Sequence, residues 1–127
     1  MRAVLDTSVL IGDVPVASDV EAAISAVSLA ELHFGLLVAR DDAARALRVA
    51  RLGVIEARFP DPLALDDRVG REWGRLQAAV LTRGGQPRKR IADLAIAATA
   101  NVYAAVLITS HVKDFAIIAD LVDVQTP

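Results

Sequence analysis

The alternation of short apolar runs with longer helical patterns is the feature that most constrains the fold of this chain. RAVLD at residues 2–6, AAISAVS at 22–28 and AVLIT at 105–109 are typical of buried strands. GVIEARF at 53–59 predicts another strand with one wetter face, and VDVQT at 122–126 predicts a short fifth. Such alternation indicates right-handed βαβ crossovers. We therefore expect an α/β fold with three α/β/α layers and a mainly parallel sheet of four to five strands.

Helical patterns occupy the segments between these runs. LAELHFGLLVAR follows Ser28, and a second helical stretch starts at Asp41, a good N-cap residue. A long helix is predicted over about 63–82, where Gly84 and Gly85 then form an evident loop. An alanine-rich helix is predicted over 89–103.

Composition limits the classes of protein to which the chain can belong. Its 127 residues, of which 54% are hydrophobic, suffice for one compact domain that spans residues 1–127. The absence of cysteine excludes disulfides, thiolate zinc sites and a cysteine nucleophile, and suits a reducing cytoplasm, where we expect the protein. A formal net charge of -2 gives no global sign of nucleic-acid binding, so such binding would need local patches.

One stretch, residues 91–109, approaches the length of a membrane span. Asp93 and Asn101 interrupt it, and a charged residue inside a span is costly. A buried helix followed by a buried strand explains it better than an anchor. Asp6 and Asp13 likewise interrupt the N-terminal apolar stretch, so we expect neither a secretory signal nor a membrane partner.

Four acidic residues follow the ends of predicted strands or lie in the first turn of the next helix. They are Asp6, Glu31, Asp93 and Asp114. Because these positions share one edge of a parallel sheet, the carboxylates should converge. Two carboxylates 4 Å apart repel by about 4 kcal/mol at an effective dielectric of 20. A Mg²⁺ or Mn²⁺ ion would relieve this repulsion, accept oxygen ligands and support displacement at phosphorus.

Each acid also has a purely structural interpretation. Asp6 can form a turn with the backbone two residues on. Glu31, three residues after Ser28, fits a capping box. Asp93 can complement a helix dipole, and Asp114 can cap a surface helix.

Four stretches together resemble a known family. LDTSVLI at 5–11, SLAELHFG at 28–35, IADLAIAATA at 91–100 and LITSHVKDF at 107–115 are similar to the motifs of PIN-domain ribonucleases, specifically the VapC toxins of type II toxin–antitoxin modules. The match follows the family's order over nearly the whole chain.

The resemblance implies a metal-dependent endoribonuclease with a PIN fold. By motif, Asp6, Glu31, Asp93 and Asp114 are the acids that hold Mg²⁺ or Mn²⁺, and Thr7 and Thr109 are supporting hydroxyls. The family further implies a homodimer, a VapB-type antitoxin whose C-terminal segment covers the site, and a structured RNA substrate such as transfer or ribosomal RNA. His111 departs from the small polar residue that is common in the family, which leaves the number of ions open.

Cations near the glycine loop are candidate RNA contacts. Arg83, Arg88, Lys89 and Arg90 precede the helix with Asp93, where they can bind phosphates or form a solvated charge run. Arginines 45, 48 and 51 are expected on a solvent face or an antitoxin surface. Residues 29–38 are apolar around much of a helix, which predicts cover by an antitoxin helix or a second protomer.

Other functions remain open on the residues alone. A phosphoaspartyl hydrolase would carry a D-x-D motif, but Ser8 occupies its second acidic position. Thr109 and Lys113 are similar to the switch residues of a phosphoaspartate receiver domain, although GVIEARFP ends without a phosphoacceptor aspartate. A catalytically weak PIN domain that mainly binds a partner is the remaining alternative.

Overall fold

The computed structural model describes residues 1–127 and contains one sheet of four parallel strands. The strands are β1 (Arg2–Leu5), β2 (Glu21–Ile24), β3 (Val106–Ile108) and β4 (Val124–Gln125), in the spatial order β2-β1-β3-β4. The predicted α/β class and parallel sheet are confirmed.

Five α-helices connect and cover the strands. They are α1 (Thr7–Ile11), α2 (Ala26–Leu37), α3 (Asp42–Arg58), α4 (Asp67–Thr82) and α5 (Ile91–Val102). Two 3₁₀ segments, Pro87–Arg90 and Val112–Ile118, complete the regular structure.

The central strand β1 contributes side chains to both layers of the core. Val4 packs into a cluster with residues of α4 and α5, whereas Ala3 and Leu5 face a second cluster with residues of α1, α2 and α3. The period of two in a strand produces this division. The result is the expected three-layer α/β/α arrangement.

The strand order reverses beside β1. Leu5 at the end of β1 is in register with Ile24 on one side and with Ile108 on the other. The chain leaves β1 toward β2 and later returns to the opposite side of β1 as β3. A crevice at the carboxyl ends of the strands is expected at such a reversal.

The predicted strand GVIEARF is wrong, because these residues lie in or directly after α3. Leu52, Ile55 and Phe59 are buried at helical spacing, while Val54 is 70% exposed. Gly53 has open space around its Cα and is simply an exposed glycine within a helix. The sheet therefore has four strands, and VDVQT contributes the fourth, β4.

Three predicted boundaries also shift. β2 ends at Ile24 because Ser25 caps α2, with its side chain accepting a hydrogen bond from Val27 N at 3.0 Å. α4 starts at Asp67 rather than near residue 63, after an isolated bridge between Ser25 and Leu63. α5 starts at Ile91, two residues later than predicted.

The stretch weighed as a membrane anchor divides into α5 and β3. No helix of this structure combines the length and the apolar character needed to cross a bilayer.

Candidate functional site

An open pocket of about 410 Å³ lies at the carboxyl edge of the sheet. All four predicted acids line it, together with His111 and residues of α1: Asp6, Thr7, Ser8, Ile11, Gly12, Glu31, Asp93, His111 and Asp114. We call this the acidic pocket. Each acid comes from a different part of the chain, so the pocket exists only when the sheet and its helices are assembled.

Asp6 lies at the base of this pocket and is 4% exposed. Its Oδ2 atom accepts hydrogen bonds from Ser8 Oγ at 2.7 Å and Thr109 Oγ1 at 2.8 Å. The side chain makes no bond to the backbone at the start of α1, and its partner two residues on is the hydroxyl of Ser8, so the turn considered for Asp6 is not formed. Two donors on one oxygen hold the carboxylate in a single orientation.

Thr7 connects two other residues of the site. Its Oγ1 lies 2.8 Å from Glu31 Oε1 and 2.8 Å from Ser28 Oγ. Thr7 is the donor toward both oxygens, and since a hydroxyl has one proton, the two acceptors share it, with the Glu31 carboxylate the stronger acceptor. Ser28 is fully buried and is not the N-cap of α2, so the predicted capping box between Ser28 and Glu31 is wrong.

Asp93 lies in the first turn of α5, where burial raises its pKa to about 6. The value of about 6 combines burial, which is the largest cause, with the negative charges of Asp6, Glu31 and Asp114, and the positive charge of Arg90 offsets part of the increase. The four acids are therefore electrostatically coupled through Asp93. A carboxyl group with such a pKa in a cleft is a recognised mark of a functional site.

Arg90 is the one cation that contacts the acidic set. Its Nη2 lies 3.0 Å from Asp114 Oδ1, and its Nη1 lies 3.8 Å from Asp93 Oδ2. It precedes α5 directly and joins that helix to the 3₁₀ segment Val112–Ile118. The guanidinium partly offsets the negative charge of the pocket and holds Asp114 at its rim.

The donor chemistry of the pocket fits Mg²⁺ or Mn²⁺. All four acids offer carboxylate oxygens, which these hard cations prefer. After burial, the negative charges of neighbouring acids are the next cause of the raised pKa of Asp93, and a cation would offset these charges. No three of the chain's Asp, Glu and His side chains are gathered around one point. Magnesium commonly retains several waters and few direct protein ligands, so this spacing is compatible with an ion held partly through water.

The other predicted RNA contacts lie apart from the acids. Arg83 Nη1 donates to Asp120 Oδ1 at 2.6 Å and to the Ile117 carbonyl at 2.8 Å. Arg88 and Lys89 are exposed in the 3₁₀ segment before α5 and form no ion pair.

Sequence reasoning missed four residues that belong to the site or its border. Ser8 binds Asp6, and Ser28 binds Thr7. Both stand inside the motifs already singled out, D-T-S and S-L-A-E, which was the available signal. Arg48 and Arg51 line a second pocket beside Glu31, whereas a solvent face or an antitoxin surface was expected for them.

Solved structures with the same fold come from toxin–antitoxin systems. A chain in the crystal structure of VapBC-5 of Mycobacterium tuberculosis, a member of the VapBC family of toxin–antitoxin systems, is 35% identical with a TM-score of 0.79. The match covers 98% of this chain and 96% of that one. Neither a protein-family model nor a curated protein matches the sequence.

Two further structures extend the similarity. FitAcB of Neisseria gonorrhoeae is 25% identical with a TM-score of 0.75, and 96% of this chain and 95% of that chain are covered. VapBC2 of Rickettsia felis, solved with a DNA fragment from its promoter, has a TM-score of 0.80 at 22% identity over 100% and 99% of the two chains, and supports the fold alone. The identity to the mycobacterial protein over nearly the whole length shows that this chain belongs to the VapBC toxin–antitoxin family, as its PIN-domain, VapC-type component.

Proposed function

We propose that this chain is a metal-dependent endoribonuclease toxin. The observation that carries the proposal is the acidic pocket: carboxylates from four separate segments line it, and burial together with the charges of the other three acids raises the pKa of Asp93 to about 6. Repulsion among these carboxylates lowers the stability of the folded protein, and a need to bind a divalent cation explains why the chain keeps them together. The substrate we propose is structured RNA, with transfer or ribosomal RNA as the first candidates.

Asp6 and Asp93 would hold the Mg²⁺ or Mn²⁺ ion, with Glu31 and Asp114 binding directly or through water. When bound, the ion lowers the pKa of a coordinated water and offsets the negative charge that develops at phosphorus. Ser8 and Thr109 both bind Oδ2 of Asp6, so its Oδ1 atom has no hydrogen-bond partner within the chain and stays available as a ligand. Thr7 fixes Glu31, and Arg90 fixes Asp114.

The pocket can bind a phosphodiester only after its own charge is offset, because a phosphate would otherwise meet several carboxylates. The carboxylates would then orient a water molecule for attack at phosphorus. His111 lines the same pocket, but no contact in the structure assigns it a role.

The test is cleavage of total RNA and of purified transfer RNA in Mg²⁺ or Mn²⁺. We expect discrete fragments that disappear with a chelator and in Asp93→Asn. Arg71→Gln, which changes an exposed residue of α4 paired with Asp67, is the control and should cleave like the wild type. Metal binding without cleavage of any RNA in the pool would overturn the nuclease proposal and favour a partner-binding PIN domain.

We further propose a VapB-type antitoxin as partner and a homodimer as the assembled state. The α2 side chains Phe34, Leu37 and Val38 are 66%, 75% and 56% exposed, which is unusual for a contiguous apolar set on one helix. Phe34 also lines an apolar groove that shares Thr7, Ile11 and Glu31 with the acidic pocket. An antitoxin segment lying in this groove would reach the site.

Coexpression with a VapB-type antitoxin tests this partner. We expect the two chains to copurify, and we expect Phe34→Ser with Leu37→Ser to abolish copurification while the circular dichroism spectrum is unchanged. Light scattering of the isolated chain tests the dimer. A monomer at micromolar concentration, or undiminished copurification of the double variant, would contradict the respective proposal.

A further inference from the structure

A second pocket lies between α2 and α3 and borders the acidic pocket. It has a volume of about 350 Å³ and is lined by Ile11, Glu31, Leu32, Gly35, Arg48, Arg51 and Leu52. Ile11 and Glu31 line both pockets, so the two form a continuous surface. We call this second one the arginine pocket.

The two arginines have no carboxylate partner. Both are partly buried, and neither forms an ion pair. Arg48 Nη1 donates to the carbonyl oxygen of Gly35, which fixes the position of its guanidinium, and the Arg51 side chain makes no hydrogen bond. The nearest acid of the pocket wall, Glu31, accepts its hydrogen bond from Thr7 instead.

Such an arrangement is suited to an anion from outside the chain. Guanidinium groups stay charged at any accessible pH, and a partly buried charge is costly without a partner. Their planar forks suit the paired oxygens of phosphate. Most other arginines of this chain have carboxylate partners close by, for example Arg75 with Glu72 and Arg83 with Asp120.

We propose that the arginine pocket binds a backbone phosphate of the RNA strand, next to the phosphodiester held at the acidic pocket. This inference rests on the proposed nuclease function and deepens it by assigning the path of the strand across Ile11, from α5 toward α3. The RNA strand would then contact the arginines on one side of Glu31 and the metal-bound acidic pocket on the other. Leu32 and Leu52 close the floor of the arginine pocket, and Gly35 leaves its wall free of a side chain.

Binding of a fluorescein-labelled random 12-nucleotide RNA tests the proposal. The Asp93→Asn background prevents cleavage, and fluorescence anisotropy gives Kd at several NaCl concentrations. We expect Arg51→Gln to raise Kd about tenfold and to reduce the slope of log K against log salt by about 0.7, the value for one phosphate contact on a single strand. Arg51→Lys, which keeps the charge, should recover part of the affinity.

Arg58→Gln is the matched control. It removes the same charge from the same helix, about 10 Å further along its axis, where Arg58 stacks on Phe59 and lines a different pocket. We expect its Kd to stay within twofold of the background. Equal effects of Arg51→Gln and Arg58→Gln would overturn the proposal, because they would reflect net charge alone. We substitute Arg51 rather than Arg48 because Arg48 also donates a hydrogen bond to Gly35 of α2, so its loss could disturb the fold.

Two further arms separate the possible anions. If inorganic phosphate at matched ionic strength raises the melting temperature in an Arg51-dependent way while RNA binding is independent of Arg51, the pocket holds free phosphate and the RNA proposal is overturned. If Arg51→Gln leaves RNA binding intact but abolishes copurification of a VapB-type antitoxin, the pocket is a protein contact and the proposal is equally overturned.

The same variants separate this inference from the nuclease proposal. In the wild-type background, Arg51→Gln should raise KM for RNA cleavage while kcat stays within about twofold. Cleavage by Arg51→Gln with an unchanged KM would overturn the proposal for the arginine pocket and leave the nuclease proposal standing. If neither the wild type nor Arg58→Gln binds or cleaves RNA, both proposals are overturned.

Discussion

At the scale of single residues, the site consists of carboxylates that hydroxyl groups hold in place. Asp6 accepts hydrogen bonds from Ser8 and Thr109, and Glu31 accepts one from Thr7, so hydroxyl donors orient both carboxylates. Asp93 differs, because no hydrogen bond within the chain stabilises its charged form and burial raises its pKa. The energetic cost of the pocket is therefore concentrated on Asp93.

Asp93→Asn should stabilise the metal-free protein at neutral pH. The folded state raises the pKa of Asp93 from 3.8 to about 6, so folding binds a proton between these values and stability falls as pH rises through this window. Above pH 6 the whole penalty is present, and below pH 3.8 it vanishes. We expect the variant to gain about 1 to 2 kcal/mol at pH 7.5, less than the full shift implies because the carboxyl is partly exposed.

Urea unfolding of both proteins in chelator at pH 4, 5, 6 and 7.5 measures this difference. The gain should grow from pH 4 to pH 6 and then level off. A gain that is independent of pH would show that the charge of Asp93 is not its cause.

Thr109→Val should destabilise the protein although the side-chain shape is kept. Thr109 is fully buried, and its hydroxyl donates to Asp6 Oδ2 and accepts from the backbone N–H of His111. Loss of the hydroxyl leaves a buried carboxylate with one donor fewer and costs about 1 to 3 kcal/mol. Thr82→Val, on an exposed hydroxyl of α4, should stay within about 0.5 kcal/mol in the same denaturation experiment. Equal changes in the two variants would contradict the role of Thr109.

At the scale of elements, caps and glycines decide where helices begin and end. Ser25, Asp41 and Asp66 cap α2, α3 and α4. Asp41 was recognisable in the sequence, whereas Ser25 was hidden inside an apparent strand and Asp66 inside an apparent helix. Gly53 was interpreted as a break although it lies within α3. A local sequence pattern does not show whether a helix continues through a glycine or ends at it, because the packing around that glycine decides the outcome.

Two glycine substitutions near α4 should have opposite effects. Around Gly74, within α4, nothing lies within 4 Å of an added Cβ, so Gly74→Ala should stabilise by about 1 kcal/mol through helix propensity. A Cβ at Gly85 would lie 2.7 Å from Val80 Cγ1 and 2.8 Å from Ile117 Cδ1. Gly85→Ala should therefore destabilise by about 1 to 3 kcal/mol. Thermal melting of the pair checks this, and a shift in the same direction for both would refute the packing argument.

At the scale of the whole molecule, the parallel sheet brings distant motifs together. The order β2-β1-β3-β4 places residues 6, 31, 93 and 114 around one pocket. Counting strand ends in the sequence predicted this convergence, since the carboxyl ends of parallel strands share an edge. Side-chain partners were beyond such counting. The contact of Arg90 with Asp114 depends on how the helices pack, and so does the position of Arg48 and Arg51 in a pocket with Glu31. Hydrophobic periodicity in the sequence does not encode this packing.

Divalent cations should stabilise the fold in a pH-dependent manner. An ion that binds only the folded state adds stability with its concentration, about 2.7 kcal/mol at one hundred times Kd. The ion must displace the proton from Asp93, whose pKa is about 6. We therefore expect Mg²⁺ at about 10 mM to increase the melting temperature more at pH 7.5 than at pH 5. NaCl at equal ionic strength controls for screening, and Asp93→Asn should show little increase. An equal shift with NaCl would exclude specific binding.

The position of Asp6 directly after the central strand links the integrity of the site to hydrogen exchange. Its backbone N–H donates to the Ile108 carbonyl at 2.8 Å, between two strands that are buried on both faces. Such amides exchange with solvent only when the whole domain opens, whereas exposed helix ends and loops exchange through local opening. The base of the acidic pocket should therefore persist for as long as the native state does, while the exposed rim at His111 should exchange through local opening.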